Sequence, residues 1–313
     1  MSAWAAYVFP GQASQKVGMG LSVYERYASA RAVFDEADAT LGFAVSRLCF
    51  EGPAEELTKT INVQPALVAT SIACLRAAQE GLGSKLPYPA FVAGHSLGEY
   101  TALAASSVLS LADALLLVRE RGRLMYEAGL RNPGSMMAVI SFDRAPLQEV
   151  CDEAGVEISN INAPGQLVIS GAVDRLERAA ELAKARGARR LIPLNVSGAF
   201  HSTLMQPVAA EFDRVLQSVT FHEPRIPVVS NVTSLPLTNS ASIKQELLSQ
   251  LRRCIQWQSS VEYMTRNGVT TYYEIGPGTV LAGLIKRISP EALTINIAGV
   301  EDIAALDDPA PAA

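Results

Sequence analysis

The residues best suited to chemistry lie in the stretch VAGHSLGEYTAL, residues 92–103. A short apolar run ends in Gly94-His95-Ser96-Leu97-Gly98, and a helix-compatible stretch begins directly after it. This layout is typical of a nucleophile elbow, in which a strand turns sharply into a helix and presents a serine. The five-residue pattern alone is common by composition, so it is the context that indicates a nucleophilic role for Ser96.

A serine hydroxyl needs a base to take its proton, and the chain offers three histidines. His95 is adjacent to Ser96, and because neighbouring side chains diverge in a tight elbow, we expect it to pack or hydrogen-bond there. His222 lies between charged residues and prolines, where we expect it to be solvated. His201 follows the point at which the chain returns from a small inserted unit, and such junctions line clefts. We therefore predict that His201 is the general base, with a structural role as the alternative.

Acyl transfer to a serine also requires N–H donors for the oxyanion of the tetrahedral intermediate. The backbone N–H of Leu97, directly after the candidate nucleophile, is one natural donor. A second would come from a loop after an early strand, and Phe9-Pro10-Gly11-Gln12 is such a loop. Taken alone, this loop is better explained as an ordinary Pro-Gly turn, and its position after a strand makes Gln12 a candidate donor.

An arginine on the apolar face of a predicted helix indicates the chemistry of the substrate. Residues 111–129 have helical periodicity, and their apolar face comprises Leu117, Val118, Leu124, Met125 and Ala128. Arg121 lies on that same face, and a buried guanidinium without a partner is very costly, so it must meet an anion. The anion is either an internal carboxylate such as that of Glu99 or a substrate carboxylate bound in bidentate fashion. The second interpretation points to a dicarboxylic half-thioester or half-ester.

The bulk composition narrows the class of protein. The 313 residues are 49% hydrophobic and 18% charged, which describes a well-buried globular protein. The formal charge of −5 argues against a nucleic-acid partner. The four cysteines have no CxxC spacing, so we expect neither a zinc site nor a disulfide framework. The N-terminus has no basic region and no apolar run approaches about 18 residues, so we expect no membrane segment and a cytoplasmic location.

The order of elements predicts an α/β fold with one inserted unit. Strands alternate with helices in the first half of the chain, which implies a parallel sheet covered on both faces. Residues 135–197 instead read β-α-β-β-α-β, the split ferredoxin-like pattern. We therefore predict a discontinuous large subdomain (1–129 and 198–306), a small subdomain (130–197) and a disordered tail (307–313).

Eight motifs follow one another along the chain: FPGQASQ (9–15), NVQPAL (62–67), GHSLGEYTAL (94–103), RERGRLM (119–125), NINAPGQLVISG (160–171), GAFHSTLM (198–205), IQW (255–257) and YYEIGPGTVLAGLIKR (272–287). Together they closely resemble the malonyl-CoA:acyl carrier protein transacylases of fatty acid synthesis and the acyltransferases of polyketide synthases. The resemblance covers nearly the whole chain. It implies an α/β-hydrolase-like large subdomain with a mostly parallel sheet and a ferredoxin-like insert.

The resemblance implies a role for each matching position. Ser96 matches the acylated nucleophile, His201 the general base and Arg121 the carboxylate clamp. Gln12 and Leu97 match the backbone donors of the oxyanion hole. The remaining implied positions are Gln256, whose backbone carbonyl would orient the histidine, and the substrate-binding residues Gln64, Met125, Asn162 and Phe200. The family exchanges acyl groups by a ping-pong mechanism between malonyl-CoA and the phosphopantetheine thiol of an acyl carrier protein, with no metal or other cofactor.

Three further positions carry expectations. Phe200, directly before the histidine, resembles the malonyl-type version of its loop, where a bulky ring would exclude an α-methyl group, so we expect malonyl to be preferred over methylmalonyl. Ala13 stands where the family usually has glycine, which would alter the oxyanion loop if that position requires a positive φ angle. Ser107 replaces the usual glycine after the elbow helix, which concerns the helix cap.

Other functions remain open from the sequence. A thioesterase or acyl hydrolase acting on carrier proteins could use the same serine and histidine, although a hydrolase for neutral acyl chains has no use for a buried Arg121. A non-catalytic carrier-binding protein is disfavoured by the intact candidate site. The choice between fatty acid and polyketide synthesis is also open. We expect a monomer, and basic residues such as Lys286 and Arg287 are candidates for contact with an acidic carrier protein.

Overall fold

A computed structural model describes residues 4–308, which form a larger, mostly parallel sheet and a smaller antiparallel sheet, both packed against helices. The strands are β1 (Trp4–Phe9), β2 (Phe91–Gly94), β3 (Gly134–Ile140), β4 (Glu157–Ala163), β5 (Gln166–Ala172), β6 (Arg190–Pro193), β7 (Val228–Val229), β8 (Pro236–Leu237), β9 (Val269–Ile275) and β10 (Leu293–Ile297). The helices are α1 (Leu21–Arg26), α2 (Ala28–Leu41), α3 (Val45–Glu51), α4 (Ala54–Thr58), α5 (Thr60–Leu82), α6 (Gly98–Ala105), α7 (Leu111–Arg131), α8 (Arg144–Ala154), α9 (Val173–Ala185), α10 (Gln206–Ser218), α11 (Ser240–Gln250), α12 (Trp257–Arg266), α13 (Val280–Ile288) and α14 (Val300–Asp307). The predicted α/β class is confirmed.

The larger sheet brings the candidate catalytic loops to one edge. Its strand order is β10-β9-β1-β2-β7-β8, and every pair from β10 to β7 is parallel, while β8 is antiparallel to β7. Strands β1 and β2 lie in the middle and are buried almost throughout. Because the carboxyl ends of parallel strands meet at one edge, the loops that follow β1 and β2 place Gln12 and Ser96 on the same side of the sheet.

The smaller sheet has the strand order β4-β5-β3-β6, with all pairs antiparallel. This is the ferredoxin-like arrangement expected from the β-α-β-β-α-β order, and its strands use residues 134–193, inside the predicted range 130–197. Helices α8 and α9 share an apolar core with one face of this sheet. Backbone hydrogen bonds from Ile161 to Ile255 and from Ile255 to Ser159 join the small sheet to the segment before α12.

Helix α5 is the core of the larger unit. The segment Thr60–Lys85 is long and apolar enough on average to cross a membrane by length and composition, although polar residues interrupt it throughout. However, 83% of its most apolar window is buried within the protein, where α5 packs against α2 and α7. In this fold the segment therefore serves as a buried core helix.

The predicted end of the helix at Gly129 is wrong, and the reason is packing. Helix α7 continues through Gly129 to Arg131. A Cβ atom on Gly129 would lie 2.0 Å from the backbone oxygen of Ser197, so this glycine allows the returning chain to cross the helix closely. The glycine is thus a contact point between backbones and not a helix cap.

Several predicted helices differ in extent. The helical periodicity of residues 23–41 predicts one helix, but the helix is broken at Tyr27, which has an extended backbone with φ −113° and ψ 128°. The periodicity of residues 242–255 predicts a helix to Ile255, but α11 ends at Gln250. Residues 200–219 likewise have helical periodicity, but α10 begins only at Gln206. Helices α3, α4, α12 and α14 were not predicted, because three of them have eight residues or fewer and α12 has ten. The end of the chain also differs from prediction, since Asp307 belongs to α14 and residues 309–313 of the predicted tail lie outside the described residues.

Two positions where the family usually has glycine adopt the left-handed conformation here without it. Ala13 has φ +78° and Ser107 has φ +62°. Ser107 caps α6, because its N–H donates to the carbonyl of Ala104 while the N–H of Val108 donates to that of Leu103. This is the Schellman pattern, which normally has glycine at the left-handed position.

We expect the substitution Ser107→Gly to raise the free energy of unfolding by about 0.5–1 kcal/mol. The left-handed conformation costs a non-glycine residue about 1–2 kcal/mol, which the substitution removes. The greater conformational entropy of glycine in the unfolded state offsets part of this stabilisation. Urea denaturation measures the difference. The matched control is Ser218→Gly, at the exposed last residue of α10, which does not have a positive φ angle, so glycine should not stabilise the protein there. Equal effects of the two substitutions would contradict the assignment of strain to Ser107.

Candidate active site

The elbow around Ser96 depends on two glycines. Ser96 has φ +52°, between the end of β2 and the start of α6. A Cβ on Gly94 would lie 1.9 Å from the carbonyl carbon of Gly98, and one on Gly98 would lie 2.1 Å from the carbonyl oxygen of Phe9. Only residues without a side chain fit these positions, so the sequence allows the strand to turn directly into the helix and leaves Ser96 partly exposed.

His201 is hydrogen-bonded to the serine and is set up as a neutral base. Its Nε2 lies 2.8 Å from the Ser96 Oγ, and its Nδ1 lies 2.7 Å from the backbone oxygen of Gln250. Because a carbonyl can only accept, Nδ1 carries the proton and the lone pair of Nε2 faces the serine. Burial and the nearby Arg121 guanidinium lower the pKa of His201 to about 3, so the ring is uncharged near neutral pH.

The carbonyl that orients His201 belongs to Gln250, so the assignment to Gln256 is wrong. Gln250 is the last residue of α11, where helix carbonyls have no partner within the helix and are free to accept a hydrogen bond. The Gln256 carbonyl instead accepts from the backbone N–H of Ser260 in the first turn of α12 and from the hydroxyl of Ser234. The sequence prediction extended the helix to Ile255, and this hid the free carbonyl.

Arg121 is completely buried, as its place on the apolar face of α7 predicts. Its Nη2 donates to the Ser96 Oγ at 3.1 Å and to the Gln250 Oε1 at 3.0 Å, and its Nη1 donates to the Gln64 Oε1 at 2.8 Å. Its Nε has no partner within residues 4–308. The described residues include no ion pair with Glu99, because the Gln250 side chain lies between the two charged groups.

Two of the predicted substrate-binding residues support the guanidinium. Gln64 accepts from Arg121, and its Nε2 donates to the Thr60 Oγ1 at 3.1 Å and to the sulfur of Met125 at 3.5 Å. The Thr60 hydroxyl in turn donates to the Gln12 Oε1 at 3.4 Å. Gln64 and Met125 therefore lie beside the arginine, and a chain of hydrogen bonds leads from it to the loop after β1.

The two predicted oxyanion donors face the same edge of the sheet. A Cβ on Gly11 would lie 2.5 Å from the backbone oxygen of His95, so the loop before Gln12 packs directly on the elbow. Leu97 precedes the first turn of α6, where backbone N–H groups lack intrahelical partners. Within residues 4–308, neither the Gln12 N–H nor the Leu97 N–H has a hydrogen-bond partner. Both are available to an incoming oxyanion.

The other two histidines behave as expected. His95 forms a hydrogen bond of 2.8 Å to the Asn162 Oδ1 and stacks edge-on against Trp257, with 5.7 Å between ring centroids. His222 is exposed. Asn162, predicted to bind substrate, uses its side-chain oxygen to hold the elbow histidine.

Asn231 is a site residue that the sequence analysis missed. Its Oδ1 accepts from the backbone N–H of Ser96 at 2.7 Å, and its Nδ2 donates to the backbone oxygen of Gly94 at 2.7 Å. One buried side chain thus holds the elbow on both sides of His95. A polar residue just after β7, at the carboxyl end of a parallel strand, was the available signal.

A cleft of about 480 Å³ opens beside this group of residues. Its lining includes Gln12, Thr60, Ser197 and Phe200. Phe200 is 4% exposed and lies directly before His201, so its ring forms part of the wall next to the base. The arrangement comprises a serine, a neutral base, two free N–H donors and a buried cation. These groups suit transfer of a negatively charged acyl group through a covalent acyl-serine intermediate.

Comparison with known proteins agrees with this geometry. The profile of the family described as Acyl transferase domain matches residues 6–300. A protein named Malonyl CoA-acyl carrier protein transacylase from Bacillus subtilis (strain 168) is 46% identical over 303 residues, covering 95% of this chain and 94% of that protein. The crystal structure of an acyl carrier protein S-malonyltransferase from Vibrio cholerae superposes with a TM-score of 0.93 at 40% identity, covering 97% of this chain and 100% of that one. A chain in the structure of a type II polyketide synthase acyl carrier protein in complex with its malonyl-transacylase superposes with a TM-score of 0.93 at 38% identity. The match covers 97% of this chain and 99% of that one.

The lowered pKa of His201 predicts that Ser96 keeps its reactivity in mild acid. An ordinary histidine with a pKa of about 6.5 would be about 90% protonated at pH 5.5 and could no longer accept the serine proton. With a pKa of about 3, His201 is still neutral there. We therefore expect the rate of phosphonylation of Ser96 by a fluorophosphonate to change by less than about twofold between pH 7.5 and pH 5.5. Ser96→Ala is the unreactive control, and a loss of rate with a midpoint near pH 6.5 would contradict the buried, neutral base.

Proposed function

This chain belongs to the acyl transferase domain family, and from that membership we propose that it transfers a malonyl group from malonyl-CoA to the phosphopantetheine thiol of an acyl carrier protein. One observation carries the proposal. The Ser96 Oγ lies 2.8 Å from the neutral His201 and 3.1 Å from Arg121, a buried cation with no carboxylate partner among the described residues. The names of the relatives agree with this substrate and acceptor.

In the first half-reaction, Ser96 becomes acylated. The His201 Nε2 takes the hydroxyl proton as the Oγ attacks the thioester carbonyl carbon of malonyl-CoA. The N–H groups of Gln12 and Leu97 receive the oxyanion of the tetrahedral intermediate. Collapse of the intermediate breaks the carbon–sulfur bond, and the departing thiolate takes the proton from His201 and leaves as coenzyme A.

In the second half-reaction, the same groups act in reverse. The carrier thiol enters where coenzyme A has left, and His201 takes its proton as the sulfur attacks the malonyl ester. The oxyanion forms again beside Gln12 and Leu97. When the carbon–oxygen bond breaks, Ser96 recovers its proton from His201, and the malonyl group leaves on the carrier as a thioester.

Arg121 explains why the acyl group should carry a carboxylate. Its terminal nitrogens are held by two neutral amide oxygens, so the positive charge is positioned but not neutralised. A bound carboxylate would supply the missing anion, whereas a neutral acyl chain would leave the buried cation uncompensated. This argument favours malonyl transfer over the alternative of a thioesterase or acyl hydrolase for neutral acyl groups.

The acceptor and the pathway can be proposed only as classes. We propose an acyl carrier protein as acceptor in either fatty acid or polyketide synthesis. The candidate docking residues Lys286 and Arg287 make internal contacts, since Lys286 donates to the carbonyl of Ala292, and Arg287 to the carbonyl of Pro164 and the side chain of Gln166. They are therefore weaker docking candidates than the sequence indicated. A cytoplasmic monomer without metal or cofactor stays a prediction.

Intact-protein mass spectrometry tests the proposed function. After mixing with malonyl-CoA we expect a stable malonyl adduct on Ser96, which disappears when phosphopantetheinylated carrier protein is added and reappears on the carrier. Ser96→Ala should form no adduct. Release of free malonate and coenzyme A without an adduct would show that water is the acceptor and would replace the transferase with the hydrolase.

The size of Phe200 predicts the preference among extender groups. We expect Phe200→Ser to raise the ratio of methylmalonyl-CoA to malonyl-CoA acylation by about tenfold to hundredfold, because the space taken by the ring becomes available to the α-methyl group. The ratio of kcat/KM values measures this and is insensitive to the fraction of folded enzyme. Phe221→Ser, at a partly buried ring that does not line the cleft, is the matched control. An unchanged ratio would show that Phe200 does not determine the preference for malonyl over methylmalonyl.

A further inference from the structure

A basic and an acidic side chain are buried close together at the site but do not touch. Arg121 and Glu99 are both fully buried. The side-chain amide of Gln250 lies between them: its Oε1 accepts from Arg121 at 3.0 Å, and its Nε2 donates to the Glu99 Oε2 at 2.7 Å. The described structure therefore contains a buried cation and a buried acid separated by one neutral amide.

The orientation of this amide is fixed by three partners. The Nε2 also donates to the backbone oxygen of Ser96 at 2.8 Å. Reversing the amide would place its oxygen against two acceptors and its nitrogen against the arginine donor, so only one orientation satisfies all three contacts. Glu99 is equally fixed, because its other oxygen accepts from the backbone N–H of Asn231 at 2.8 Å.

A direct ion pair at this place would disable the clamp. A carboxylate bound to the guanidinium in the low-dielectric interior would occupy its donors and neutralise its charge. A substrate carboxylate would then have to displace it. An amide accepts the same hydrogen bond but carries no net charge. It therefore positions Arg121 and leaves the guanidinium charge available to a substrate carboxylate.

We propose that the Gln250 side chain is a specificity-determining residue: it is a neutral spacer that keeps Glu99 from pairing with Arg121 and so reserves the guanidinium for the carboxylate of the acyl group. The inference rests on the proposed function, in which Arg121 binds that carboxylate. It is separate from the role of the Gln250 backbone carbonyl, which orients His201 and does not depend on the side chain.

The substitution Gln250→Glu tests the spacer with almost no change in shape. The new carboxylate would lie directly on Arg121, and the extra proton needed between the two acids has a place on Glu99, whose pKa is raised by burial and by the nearby Glu246 carboxyl. We expect kcat/KM for acylation by malonyl-CoA to fall at least about 100-fold and that for acetyl-CoA less than about tenfold. The malonyl-to-acetyl ratio should therefore collapse by at least about tenfold.

A second variant guards against simple misfolding. The exchange Glu99→Gln with Gln250→Glu keeps the net charge of the cluster and allows a hydrogen bond from residue 99 to residue 250, while the Ser96 carbonyl loses its side-chain donor. It also puts the carboxylate directly on Arg121. We expect the same collapse of the ratio. The matched control is Gln79→Glu, where a glutamine also accepts from an arginine, Arg76, but on the exposed surface, and the ratio should not change.

The rate of Ser96 phosphonylation by a fluorophosphonate separates specificity from general damage, because this probe carries no carboxylate. In both variants it should fall at least about tenfold less than kcat/KM for malonyl-CoA. A malonyl-to-acetyl ratio that stays unchanged in the folded exchange variant, or a phosphonylation rate that falls as far as malonyl transfer, would overturn the spacer. Failure of the unsubstituted enzyme to form malonyl-Ser96 would instead overturn the proposed function itself.

Discussion

The burial of the Arg121 charge is the constraint around which the site is organised. A fully buried guanidinium needs hydrogen-bond acceptors, and the fold supplies neutral oxygens to its terminal nitrogens from α5, from Ser96 in the elbow before α6 and from the end of α11. The same charge helps to keep His201 uncharged, since a second cation nearby is unfavourable. The arginine thus adds to the effect of burial on the protonation state of the base, and under the proposed function it also selects the acyl group.

The parallel sheet makes this concentration of groups possible. The nucleophile follows β2, the oxyanion loop follows β1 and Asn231 follows β7, so three consecutive strands of the sheet deliver their loops to one edge. The backbones meet so closely there that Gly11, Gly94 and Gly98 have no space for a side chain. Position along the chain matters less than position at this edge, which explains how residues 12, 96, 201 and 250 act together.

The parts of the site that a local pattern encodes were predictable. The elbow has its own five-residue signature, Arg121 breaks a helical stripe, and the order of strands and helices gave both sheets; the family resemblance is confirmed by the profile match over residues 6–300. The parts that depend on where an element ends were not. Gln256 was chosen in place of Gln250 because only the end of α11 decides which carbonyl is free. The continuation of α7 past Gly129 was equally hidden, because Ser197, which lies against this glycine, is distant in sequence.

The coupling between Arg121 and His201 has a consequence for the order of events. In the free site, burial and then the uncompensated Arg121 cation lower the pKa of the histidine and weaken it as a base. A carboxylate on the arginine offsets that effect and raises the basicity of the Nε2 that must take the serine proton. Under the proposed function, an acyl group that carries a carboxylate would therefore strengthen the base that activates the nucleophile, whereas a neutral acyl group would leave its basicity unchanged. Recognition of the carboxylate and activation of the serine would then be parts of one electrostatic interaction.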